Sequence, residues 1–269
     1  MLISEALNLK EKAFISLVGA GGKSTLFKRL AEELALKNKR MILTTTTKMF
    51  SWQLVPFIKK GRLIEDHNEE IIQECIEKYF SLERKGGRLA VIGEKMEDKG
   101  EEKVSGPPPE WLDKWWEESL VDFILIEADG GAGRPVKAPA PHEPVIPLST
   151  TDLVGVIGID ALGLSLQEEN VFRSEIFSRL TGLNLGEKIV IEALSLLICH
   201  PEGLFKGAPP GCRRHLFINK VEGSKGLKIA EELTFEVLKI CHRRISDIII
   251  GAAGQKEVVA EVIKEVKTS

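Results

Sequence analysis

Cysteine is scarce in this 269-residue chain, which carries four, at Cys75, Cys199, Cys212 and Cys241, with no C-x-x-C pair among them. That spacing excludes a zinc-finger arrangement and a disulfide scaffold, and it predicts free thiols in a reducing compartment. An excess of positive charge is also lacking: 37 Lys and Arg stand against 40 Asp and Glu, a net −3, with the basic residues spread along the chain. Nucleic-acid binding needs a basic patch or stripe, so nucleic acid is not an expected partner. No apolar run approaches the ~18 residues that a membrane helix requires. The start, Met1-Leu2-Ile3-Ser4-Glu5, has acid where a signal peptide has base. The expectation is a cytoplasmic protein that engages no membrane.

What is present begins with Ala13 to Val18, an apolar run that breaks into Gly19-Ala20-Gly21-Gly22-Lys23-Ser24-Thr25. Leu26, Phe27, Leu30, Ala31 and Leu34 then recur at helical spacing. A strand, a glycine turn and a helix N-terminus in that order form an anion site, because amides and helix dipole converge on one spot. The glycines let the backbone curl around a phosphate. The N–H groups of residues 20–25 would cradle the phosphates, Lys23 would reach the β- and γ-phosphates, and the Ser24 hydroxyl would sit on magnesium. The loop is shorter than G-x-x-x-x-G-K-[ST], since Leu17 occupies the first glycine position. It resembles the compact phosphate loops of ATP-dependent ligases. A dinucleotide fingerprint starting at Gly19 and Gly21 fails, because Ser24 replaces its last glycine and threonines stand where its ribose-binding acid belongs.

Met41-Ile42-Leu43 reads as a buried strand running into Thr44-Thr45-Thr46-Thr47-Lys48. Ligands of open α/β sheets gather at the carboxyl ends of strands. Thr46 or Thr47 is therefore a candidate for contact with the γ-phosphate or a metal-bound water, although threonine also simply suits a strand. A second apolar strand, Phe123 to Ile126, ends in Glu127-Ala128-Asp129-Gly130. Hydrophobic residues ending in an acid have the form of the magnesium-holding strand of phosphate-loop proteins. Glu127 is the expected metal ligand with Ser24, and Asp129 is expected to orient an attacking water. The Gly- and Pro-rich stretch 131–147 must be a shaped loop, with Lys137, His142 and Glu143 as candidate substrate groups.

Ile71, Ile72, Cys75, Ile76, Tyr79 and Phe80 predict an amphipathic helix, and Leu89 to Gly93 a short strand. Glu94 to Lys103 is charged and reads as a loop. Trp111, Trp115 and Trp116 read as packing residues. Phe172-Arg173-Ser174 lies in a helix or its approach, where a surface salt bridge is the first role expected of Arg173 and contact with phosphate the second. His215 to Ile218 forms a strand ending in Asn219-Lys220-Val221-Glu222, which resembles the N-K-x-D base-reading motif with Glu222 in place of aspartate. An Asn cap ahead of the next helix is the competing reading. Asp247 to Ile250 is a last strand, and Val258, Val259, Val262, Ile263 and Val266 suggest a final helix. Alternating strands and helices imply an α/β fold: a mostly parallel, doubly wound sheet flanked by helices, phosphate-loop NTPase-like. Residues 1–269 are expected to form one such domain, with an α/β insertion at about 51–110.

Taken together, Val18 to Thr25, Thr44 to Lys48, Glu127-Ala128-Asp129-Gly130, Lys137-Ala138-Pro139, His142-Glu143-Pro144 and Val156 to Gly163 resemble the YqeC-type selenium-dependent hydroxylase accessory proteins. The order and spacing fit nearly the whole chain. The resemblance implies service to the maturation of selenium-dependent molybdenum hydroxylases, with such a hydroxylase or its cofactor-maturation proteins as partner. From the residues, the expected activity is magnesium-dependent binding and hydrolysis of ATP or GTP, with Lys23, Glu127 and Asp129 as the catalytic groups and Asn219, Lys220 and Glu222 reading the base. Two alternatives share the same phosphate site: an ATP-dependent ligase or kinase acting on a small molecule, and a non-catalytic, nucleotide-gated chaperone or scaffold.

Overall fold

Strands buried on both faces need apolar side chains at every position, and such runs build the centre of this molecule. The computed structural model describes residues 1–54, 62–83, 86–98, 100–241 and 244–264. Its strands are β1 (Ala13–Gly19), β2 (Arg40–Thr45), β3 (Lys48–Phe50), β4 (Arg62–Glu65), β5 (Gly87–Ile92), β6 (Glu94–Asp98) and β7 (Glu101–Ser105). They continue with β8 (Phe123–Glu127), β9 (Val136–Lys137), β10 (Asp152–Gly158), β11 (Val171–Phe172), β12 (Arg213–Asn219), β13 (Asp247–Gly251) and β14 (Val259–Lys264). The α-helices are α1 (Ile3–Ala6), α2 (Lys23–Ala35), α3 (Glu69–Leu82), α4 (Pro109–Glu117), α5 (Ser174–Thr181), α6 (Ile191–Cys199) and α7 (Gly223–Cys241).

Nine strands form one sheet in the order β14-β13-β12-β10-β1-β8-β2-β5-β4. All neighbouring pairs are parallel except β13 with β14. The fold is α/β with a mostly parallel, helix-flanked sheet. Successive side chains of each strand point to opposite faces, which splits the core in two. Ile15, Leu17, Leu43, Leu125, Val154 and Phe217 pack with α1 and α2 on one face. Phe14, Val18, Ile42, Ile124 and Ile126 pack with α3 to α7 on the other. Phe14, Phe123, Phe217 and Trp115 are fully buried, and each contributes about 1.5–3 kcal/mol by leaving water. Chain order and sheet order part company at β1, whose neighbours are β8 and β10 while β2 lies one strand further out. A crevice at the carboxyl ends of the strands follows from that reversal.

Three expectations are corrected. The segment expected as a final helix is the antiparallel strand β14, paired through Ile248↔Ile263 and Ile249↔Val262; Val266 lies outside the described residues. Valine and isoleucine are stiff at χ1 and favour strands, and this short run matches either periodicity. The charged stretch 94–103, expected as a loop, is instead β6 paired antiparallel with β7, which in turn pairs with β3. Its alternation carries few apolar residues, because this small sheet packs little core. Cys199 and Cys241, expected as free thiols, form a disulfide with Cα atoms 5.7 Å apart, joining the ends of α6 and α7. Cys75 and Cys212 are free.

Candidate functional site

At the end of β1 the chain turns on Gly19, Gly21 and Gly22, all with positive φ, and Gly22 at φ 118° leads directly into α2. A Cβ on Gly21 would strike the backbone of Gly158, and one on Gly22 would strike the Asn219 amide. Only glycine fits either position. The Gly19 N–H donates to Asp129 Oδ2 at 3.0 Å. The Ala20 and Gly21 N–H groups donate to Val156 O at 3.1 Å and Arg134 O at 3.0 Å. These bonds fix the shape of the loop, and the first turn of α2 supplies the amides that a helix leaves without internal acceptors, the kind that suit an anion.

Lys23 is buried. Its ammonium donates to Gly19 O at 2.6 Å and pairs with Asp129 Oδ1 at 3.0 Å. Burial works against its charge, but the carboxylates of Asp129 and Glu127 outweigh that and hold its pKa above the ordinary lysine value. Glu127, at the end of β8, is pushed the other way: burial raises its pKa, against the pull of Lys23 and a hydrogen bond from Ser24. Its Oε1 is buried with no hydrogen-bond partner among the described residues. A buried carboxylate oxygen without a donor is costly and suits a cation. Magnesium is characteristically held by one or two protein oxygens together with substrate phosphates, and Ser24 and Glu127 are the residues here that could supply them. Among the described residues no group of three or more His, Cys, Asp or Glu forms a metal cage.

Asp129 has both carboxylate oxygens engaged, by the Gly19 N–H, by Lys23 and by Lys137 Nζ at 3.0 Å. Lys137, on β9, is fully buried and also donates to Gly130 O at 2.7 Å and Glu143 Oε2 at 2.6 Å. Glu143 in turn accepts a two-pronged bond from Arg173, with Nη2 at 2.9 Å from Oε1. Burial raises the Glu143 pKa, but Arg173 and Lys137 together bring it down to about 2. A ladder of alternating charge thus runs from the glycine loop to the N-terminus of α5: Lys23, Asp129, Lys137, Glu143, Arg173. Two candidate substrate groups, Lys137 and Glu143, are rungs of it, while His142 is exposed on the cleft wall. Arg173 stands directly before α5 and makes the salt bridge first expected of it, although with a largely buried carboxylate; its positive φ of 64° and the stacking of its guanidinium 4.4 Å from the Phe172 ring centroid had no sequence signal.

The base-reading candidates divide. Asn219 is buried, donating to Gly21 O at 2.7 Å and accepting from the Ala253 N–H at 2.9 Å, so it brackets the loop. Lys220 lines the cleft and pairs with Asp160 at 2.7 Å. Glu222 is exposed and accepts from Gln255 at 3.0 Å. Thr46 lines the cleft, with its hydroxyl donating to Val145 O at 2.6 Å. The cleft has a volume of about 1060 Å³ and takes in residues 20–25, Glu127, Gly130 to Arg134, and Thr46 to Phe50.

The model of the family described as "YqeC protein" matches residues 15–175. A protein of Escherichia coli (strain K12), described as uncharacterized protein YqeC, is 37% identical over 215 residues, covering 78% of this chain and 77% of the relative. The chain belongs to the YqeC family. The matched span holds the glycine loop, the β8 acids and the whole charge ladder of this YqeC-family protein, while Asn219 lies outside it. Among solved structures, FtsY from Mycoplasma mycoides aligns at a TM-score of 0.34 and 12% identity, over 95% of this chain. The chain spans 66% of the length of that FtsY chain. No helix among the described residues is long and apolar enough to cross a membrane.

Proposed function

We propose that this YqeC-family protein binds a nucleoside triphosphate, ATP or GTP, with magnesium at the glycine loop and cleaves its terminal phosphoanhydride. The observation that carries the reading is the placement of Lys23 and Glu127 in one cleft, beside glycines that no other residue could replace, with Glu127 Oε1 lacking a partner among the described residues. Lys23 would exchange Gly19 O and Asp129 for the β- and γ-phosphate oxygens. Ser24 and Glu127 would hold the ion. Magnesium bound there would neutralise the charge that spreads over the phosphoryl oxygens as the bond breaks. Asp129, which accepts from the Gly19 N–H and is ion-paired with Lys23 and Lys137, is assigned a positioning role: it holds the loop amide of Gly19 and keeps Lys23 charged beside the loop until the phosphates take it over. This replaces the water-orienting role expected from its place after β8. The family resemblance supports service to molybdenum-hydroxylase maturation as the setting.

Calorimetric titration of ATP, GTP and CTP, each with and without magnesium, tests the reading. Lys23→Ala should abolish binding, and Glu127→Gln should remove its magnesium dependence. Retention of full affinity by Lys23→Ala would refute it. Transfer of the phosphoryl group to a small acceptor, rather than to water, is the second reading, and the lining of the cleft supports it, because the cleft reaches beyond the glycine loop to a separate wall at Thr46 to Phe50 and Lys103.

A further inference from the structure

We propose that the part of the cleft on the β2 side of Glu127 is a subsite for a small organic anion, a carboxylate or phosphate ester with a flat apolar body, seated as phosphoryl acceptor. This rests on the triphosphate reading above. The sheet order sets the geometry. The glycine loop follows β1, Lys220 follows β12 on one flank, and Thr46 to Phe50 follow β2 on the other, with Glu127 on β8 between β1 and β2. A triphosphate whose base lies toward Lys220 therefore ends near Glu127 and Thr46, and the space beyond is bounded by Thr47, Lys48, Met49, Phe50, Lys103 and Val145.

That wall is built, not incidental. It rests on the β3-β7-β6 sheet, which stands apart from the main one. Gly106, at the end of β7, lies so close to Thr45 O that a Cβ there would overlap it. Its chemistry is mixed. Met49, Phe50 and Val145 supply an apolar surface, and the Phe50 ring stacks on exposed Trp52 with planes 14° apart and centroids 5.8 Å apart. Lys48 is exposed at its edge, while Lys103 Nζ is engaged over the Phe50 ring, 5.0 Å from its centroid. An apolar, aromatic-rich wall favours a flat ligand, and the exposed ammonium of Lys48 at its edge favours an anion.

An anionic acceptor also matches what the site lacks. Asp129 stays held by the Gly19 N–H and by Lys137 when Lys23 turns to the phosphates, and Glu127 is assigned to the ion. A carboxylate or phosphate oxygen is already deprotonated and needs no base. It forms a bond to the γ-phosphorus, the bond from that phosphorus to the β–γ bridging oxygen breaks, and the electron pair leaves on the nucleoside diphosphate. No proton moves.

The test uses benzoate and phenyl phosphate as probes, with benzyl alcohol as the uncharged control, followed by ligand-observed NMR with and without magnesium tripolyphosphate. The base-free tripolyphosphate fills the glycine loop whatever the base preference. At least one anion should bind in both conditions, and benzyl alcohol should bind at least tenfold more weakly. Lys48→Ala should weaken the anion about tenfold, the scale of one charged hydrogen bond, and by at least fivefold more than it weakens tripolyphosphate. Phe50→Ala should weaken both anions as well. Displacement of the probe by tripolyphosphate, unchanged probe affinity in Lys48→Ala, or no anion binding at all would overturn the proposal. Lys23→Ala separates the two readings: loss of tripolyphosphate with probe binding intact supports both, whereas tripolyphosphate binding unaffected by Lys23→Ala sinks the nucleotide reading while the probe results still decide the subsite.

Discussion

Replacing Lys137 by methionine removes the middle cation of the buried ladder while keeping most of its volume. Its ammonium holds Asp129 at 3.0 Å and Glu143 at 2.6 Å, and none of the three groups is more than 12% exposed. Deleting one partner of a buried pair leaves an uncompensated charge, at a cost of roughly 3–5 kcal/mol. For a chain of this size each kcal/mol shifts the melting temperature by roughly 2–4 °C, so Lys137→Met should melt about 6–20 °C below the parent. The double variant Lys137→Met/Glu143→Gln removes a cation and an anion together and should recover part of the loss, which a double-mutant cycle reads as coupling. The acid limb gives an independent readout. Glu143 is held at about 2, against an ordinary 4.5, so its contribution is complete above pH ~4.5 and is lost as pH falls toward 2. Without Lys137 its pKa moves back toward the ordinary value, and the slope of melting temperature between pH 4.5 and 2 should flatten. Circular-dichroism melts across that range suffice. A variant melting within about 2 °C of the parent, with an unchanged acid slope and no coupling to Glu143, would refute the ladder.

Further outcomes follow from other contacts. Gly106→Ala should lower the melting temperature sharply, because the new methyl meets the Thr45 carbonyl, whereas Gly130→Ala, which meets nothing within 4 Å, should be near neutral. His215 lies buried between Asp152, 3.0 Å from Nε2, and Asp247, 2.9 Å from Nδ1. Burial disfavours its charge, but the two carboxylates raise its pKa. Its stabilisation is therefore complete below about pH 6.5 and lost as pH rises through the higher folded value. Melting temperature should fall across that alkaline window, and His215→Asn should abolish the fall while lowering stability at pH 6. Cys199→Ser opens the bridge to Cys241, 42 residues away. Chain entropy puts that loss at about 4 kcal/mol, readable as a lower melting temperature that added reductant does not lower further.

The central strands were legible because each is an apolar run ending in glycine, acid or amide, as at Val18-Gly19, Ile126-Glu127 and Ile218-Asn219. The same endings marked the site, since in a parallel sheet those positions share one edge. What escaped the sequence depended on distant pairings. Glu143 and Arg173 are 30 residues apart, and nothing local distinguishes an arginine that clamps a buried carboxylate from one in water. Asp152, His215 and Asp247 come together only through strand register. The Cys199–Cys241 bridge has no spacing signature, and β14 hid behind a valine pattern that suits helix and strand alike.

The bracket formed by Asn219 reaches further than its two hydrogen bonds. One side chain ties Gly21, near the start of the chain, to Ala253, near its end. A protein cut after residue 175 would keep everything that the family model matches, yet lose the strut that braces the glycine loop from outside. During synthesis, too, the loop would go without that brace until the segment carrying Asn219 had been made and docked. The loop is thus made well ahead of the side chain that steadies it.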